Sequence, residues 1–213
     1  LLENRSKEDL LQLLSKLLNY HPSLKRLIRS LVDYGEVTKN AADESYIFQV
    51  SEIFHRVGLA WNVDTQLYKD LRTVKLLGDE LRGKGDYCGA LSIYDALCMG
   101  ILNNYLSLFD EGGELVDLVQ DCIFNMNELL ENEKNDVKLR KLVLSNLFRI
   151  YHTDMQFGCI GFGEKIPEAL SKFTNYDEKN TISAWIKDLL KTGKNIRRSY
   201  QEEGYRKLLS SLN

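Results

Sequence analysis

Proline is nearly missing from this chain: Pro22 and Pro167 are the only two in 213 residues. No Pro, Ser or Gly tract and no low-complexity run interrupts it, so neither a polyproline segment nor an interdomain linker is present. Cysteine is sparse as well. Cys88, Cys98, Cys122 and Cys159 are widely separated, which excludes the close pairs of zinc sites and disulfide frameworks and fits reduced, buried thiols of an intracellular protein. The three histidines, His21, His55 and His152, have no partner at the three- or four-residue spacing that would aim two ligands along a helix. No apolar run approaches the roughly 20 residues that span a bilayer, and the first residues lack the charged-then-apolar-then-small pattern expected of a signal peptide. A net charge of −3 and a pI near 5.7 give no global field toward nucleic acid or an anionic membrane. The chain begins at Leu1 rather than Met, as expected of a piece of a longer protein.

What is present is helical periodicity. Apolar residues recur at three and four, as in Tyr46, Ile47, Val50, Ile53, Phe54 and Val57, and no stretch keeps strict alternation. The spacing predicts an all-α fold of about ten helices in antiparallel hairpins, forming one bundle or short solenoid over residues 1–213. Ser6 with Asp9 caps a helix from Lys7 to Tyr20, and Pro22 opens the second. The third spans Ser45 to Val57. Asp64 caps a fourth that ends at Gly83, and the fifth runs from Asp86 toward Phe109. Further helices are expected from Leu115 to Leu130, from Asp136 through Tyr151, after Pro167, from Asp177 to Lys191 and from Asn195 to Leu212, the last two hinged at Gly193.

Between Val74 and Leu97, Leu77-Gly78, then Gly85-Asp86-Tyr87, Ala90 and Tyr94 are spaced like one helical hairpin of a tetratricopeptide repeat. In this reading Gly78 admits a second helix closely, Gly85 permits the turn and Ala90 lies where the helices touch. Val74, Leu81, Leu97 and Leu102 replace the repeat's Trp, Tyr, Ala and Pro, and no second copy follows at 34 residues. The resemblance implies hairpin packing and protein binding. A broader texture, from Lys7-Glu8-Asp9-Leu10-Leu11 through His21-Pro22-Ser23-Leu24 to the Tyr151–Pro167 segment, is similar to the helical regions of SWIM zinc-finger proteins. Their Cys/His module is absent, so zinc and DNA binding are not implied. The first two helices also resemble the start of the nuclear proteasome-tethering family.

Gly158-Cys159-Ile160-Gly161-Phe162-Gly163 has the composition of a phosphate-cradling loop, yet no strand precedes it and no Lys-Ser or Lys-Thr follows, so it reads as a structural turn. Cys159 with His152 lacks an oxyanion-stabilising motif beside it. Trp185 to Asn213 holds seven basic against three acidic side chains, a net +4 that leaves about −7 on the remainder. Lys194, Arg197, Arg198 and Lys207, interleaved with Tyr200 and Tyr205, could meet phosphates or form a solvated helix pair. Glu128, Glu131 and Glu133 read as an exposed corner. The expected function is a non-enzymatic helical scaffold or adaptor that binds another protein or another domain of its parent chain, with no cofactor, metal or membrane. Tyr94, Asn103, Asn104 and Tyr105 are the expected contacts, and nucleic-acid binding through the C-terminal basic face is the alternative. A second copy of the chain is a further partner this reading leaves open.

Overall fold

The computed structural model describes residues 39–57, 65–108, 110–131, 137–192 and 199–212. Every regular element among them is a helix: α1 Lys39–Val57, α2 Thr65–Gly83, α3 Tyr87–Tyr105, α4 Glu114–Glu131, α5 Val137–Phe157, α6 Ile166–Phe173, α7 Tyr176–Thr192 and α8 Ser199–Leu212. The chain is all-α. The helices expected over residues 7–20 and from Pro22, the Asp64 cap, the Gly193 hinge and the Asn195 start lie outside the described residues.

Helix ends follow local chemistry. Asp86 caps α3 by accepting from the Gly89 amide at 3.0 Å. α3 stops at Tyr105, four residues before the expected Phe109. There the amides of Ser107 and Leu108 turn back to the carbonyls of Asn104 and Tyr105, each at 3.0 Å, and the Ser107 hydroxyl donates to the Asn104 carbonyl as well. α1 starts at Lys39, ahead of Ser45, over residues that include the good helix formers Ala41, Ala42 and Glu44, which have no apolar rhythm to reveal them. α7 opens with a reciprocal cap at Asn175. Its side chain accepts from the Glu178 amide at 3.0 Å, and the Glu178 carboxylate accepts from the Asn175 amide at 2.9 Å.

The hairpin predicted from Gly78, Gly85 and Ala90 is α2–α3. Gly85 has φ +82°, the left-handed turn that favours glycine. A Cβ on Gly78 would stand 2.8 Å from Tyr94 Cε1 and 3.0 Å from Ile93 Cγ2, so the helices meet there because the side chain is absent. α3 is the central helix. Ala90, Ile93, Tyr94, Leu97, Cys98, Ile101 and Leu102 are fully buried along it, with α1, α2, α4 and α5 packed around. Gly100 on α3 lets Val50 of α1 come closer still. Farther along, Arg140 of α5 donates to both carboxylate oxygens of Glu178 at 2.7 and 2.9 Å, to the Phe173 carbonyl at 2.8 Å and to the Leu130 carbonyl. One cation thus closes the C-terminal ends of α4 and α6 and the N-terminal end of α7. Burial alone would raise the Glu178 carboxyl, but the guanidinium and the Asn175 amide outweigh it and hold it below its ordinary range.

Candidate interaction surface

α2 and α4 lie side by side and run parallel, joined by three rungs with a constant 46-residue offset. Lys75 meets Asp121 at 4.0 Å, Asp79 accepts from the Asn125 side-chain amide at 2.9 Å, and Arg82 pairs with Glu128. Increments of four and then three on both helices keep the rungs on one face of each. Asp79 is the hub. It also accepts from the Tyr94 hydroxyl at 2.8 Å and from Lys75 at 3.0 Å, so α2, α3 and α4 share one carboxylate. Burial, followed by the Asp79 carboxylate, pushes the Tyr94 phenol well above its ordinary range.

At 100° per residue, one step before Asp79 and one step after Asn125 lie on the same side of a parallel pair. These are Gly78 and Met126, both turned toward the core. The opposite steps, Leu76 after Lys75 and Phe124 before Asn125, therefore share the outer side. Leu76 is 57% exposed and Phe124 61%. The outer face of this ladder thus sets two large apolar side chains among charges.

The expected contact residues separate. Tyr94 is inside the core, with no exposed surface, because its hydroxyl finds Asp79 beneath the α2–α3 contact; it faces no partner. Asn104 donates to the Gly100 carbonyl at 2.8 Å and helps end α3. Tyr105 stands edge-on to Phe162 at 4.8 Å. Only Asn103 is exposed. Of the alternative basic set, Lys194, Arg197 and Arg198 lie outside the described residues. Lys207 pairs with Glu203 at 2.7 Å one turn away, and Arg206 pairs with Glu202 in the same way.

The Gly158–Gly163 loop has its anion already. The Gly163 amide donates to Asp154 Oδ2 at 3.1 Å, and the amides of Ile160, Gly161 and Phe162 favour the charge on the same buried carboxylate. Burial opposes them and raises the Asp154 pKa. From the other side, the Gln120 amide of α4 donates to the Gly161 and Phe162 carbonyls at 3.2 and 2.8 Å. The amides that would cradle a phosphate face the protein's own side chain. His152 bonds Tyr205 of α8 through Nδ1 at 2.5 Å and Gln156 through Nε2 at 3.0 Å, and burial lowers its pKa. Cys159, at φ +60°, gives its thiol to the Met155 sulfur at 3.2 Å. Burial raises its pKa, the opposite of what a nucleophilic thiolate needs. Among the described residues no group of three or more His, Cys, Asp or Glu converges as a metal site, and no helix is long and apolar enough to cross a membrane.

Compared with protein-family models, characterised proteins and solved structures, the chain matches none.

Proposed function

We propose that this domain is a non-enzymatic helical scaffold that binds another protein, or another domain of its parent chain, on the outer face of the α2–α4 pair. One observation carries the reading: the parallel, in-register ladder from Lys75–Asp121 to Arg82–Glu128. It makes two successive hairpins, α2–α3 and α4–α5, stack with their first helices side by side and α3 packed behind both. Tetratricopeptide-like units stack in this manner, here with a step of 46 residues, and such stacking builds an extended binding surface from small repeated elements. The exposed Leu76 and Phe124 supply apolar anchors on that surface. Four free cysteines suit an intracellular setting.

Affinity capture from cell extract with the purified chain, split into nuclease-treated and untreated halves, tests the proposal. A protein retained after nuclease and moderate salt is the expected result. Recovery that depends on intact nucleic acid would overturn it and transfer the function to the C-terminal basic residues.

A further inference from the structure

The exposed positions of α4 are Glu114, Asp117, Asp121, Phe124, Glu128 and Glu131. They follow one another by three, four, three, four and three residues, a single stripe down the solvent side. Five carry carboxylates and one, near the middle, a phenyl ring. The whole helix contains no lysine, arginine or histidine. α2 neutralises only the middle of the stripe, through Lys75 and Arg82. Glu114, Asp117 and Glu131 form no ion pair among the described residues. An exposed phenylalanine on a helix whose other outward positions are all charged has no role in the core. Its neighbour across the ladder, Leu76, widens the apolar spot at nearly the same level along the paired axes.

From this arrangement we infer that the α2–α4 face docks a basic amphipathic segment of another protein, with an aliphatic or aromatic side chain seated between Phe124 and Leu76 and lysine or arginine residues along the α4 carboxylates. The inference rests on the scaffold reading and adds the chemistry of the partner. Charge decides the class: a stripe of five carboxylates repels nucleic acid and anionic membranes and attracts a cationic chain. Phe124 decides the rest, because a purely ionic partner would leave the ring in water.

Fluorescence anisotropy on the full chain tests it with three labelled peptides of about fourteen residues. One is amphipathic and built of leucine and lysine, the second replaces lysine by glutamate, and the third replaces leucine by serine. Binding of the leucine–lysine peptide alone is expected. Phe124→Ala should weaken it about tenfold, and the double change Asp117→Asn with Glu131→Gln should weaken it and flatten its salt dependence. Leu106→Ala, equally exposed but beyond the end of α3, should leave it unchanged. Equal binding of the glutamate peptide, no binding of any peptide, or indifference to Phe124→Ala overturns the inference. So does a concentration-dependent dimer in sedimentation that Phe124→Ala dissolves, since the occupant would then be a second copy. If the peptides fail while the extract still yields a nuclease-resistant protein, the inference falls and the scaffold reading stands.

Discussion

Asp79 concentrates more of the α2–α3–α4 junction than any residue near it, since Tyr94, Asn125 and Lys75 all donate to its carboxylate. Asp79→Ala leaves a buried phenol and a buried amide without an acceptor, and we expect a loss of about 1–3 kcal/mol in urea unfolding. Tyr94→Phe should lose much less, and in the Asp79→Ala background almost nothing further, because the bond is then already gone. Additive losses would mean that the two residues act separately. Gly78→Ala should destabilise by about 1–3 kcal/mol, since its methyl group would press on Tyr94 and Ile93. An unchanged midpoint would remove close helix approach as the reason for glycine there. Gly78 was legible from spacing alone, because two helices can approach closely only where a small residue stands at their contact. Asp79 was not: an acid beside a glycine on a charged helix looks like any solvated side chain until its partners are known. Tyr94 was legible as part of the hairpin pattern, but its burial was decided by that hidden partner.

Between elements, the contacts that hold one helix on another titrate. Glu178 is held below its ordinary value of 4.5 in the folded chain, so the unfolded chain takes up its proton first as the pH falls. The stability Glu178 contributes is therefore complete above 4.5 and is lost as the pH drops through the lowered folded value. His152 acts in the same direction in a milder range. Burial between α5 and α8 lowers its pKa from 6.5, so the unfolded chain binds the proton more readily and stability declines as the pH falls below 6.5. Asp154, whose carboxyl is raised, opposes both, its contribution being lost as the pH rises above 3.8 and through the folded value. Urea midpoints at pH of about 7.5 and about 5.5 should differ, and His152→Gln should shrink the difference; an equal difference in the variant would place the titration elsewhere. Arg140→Ala should cost about 1–3 kcal/mol by leaving the half-buried Glu178 carboxylate and the Phe173 and Leu130 carbonyls without their donor. None of these inter-helix pairs has a sequence signature. Residues 130, 140, 173 and 178 share no period, and the glycine loop could not declare that Asp154, a turn earlier, would fill it. Asn175 with Glu178 did carry the capping-box spacing, a legible signal that the expected start at Asp177 passed over.

For the molecule as a whole, most of the helices among the described residues were written in the apolar rhythm, while their stacking was not. Rhythm tells each helix which side to bury, but the 46-residue register of α2 on α4 comes from three unlike rungs that no internal repeat announces. Phe124 illustrates the limit. Taken alone it is one more apolar residue of an apolar helix, and only the acids at 117, 121, 128 and 131 place it on the outer stripe. The buried side chains of all eight helices nonetheless join in a single hydrophobic cluster running from Tyr46 to Leu212. A continuous core of this kind predicts one cooperative transition. The C-terminal half has its own reporter in Trp185, which packs against Phe148 at 5.4 Å between α5 and α7. With Trp61→Phe to isolate it, tryptophan fluorescence and far-ultraviolet circular dichroism should trace the same urea curve. The sharper test applies Gly78→Ala, at the far α2–α3 junction. If the core transmits as one unit, the Trp185 transition must move by the same free energy as the helical signal. A Trp185 midpoint that stays put while the helical signal shifts would divide the chain into an α1–α4 unit and an α5–α8 unit.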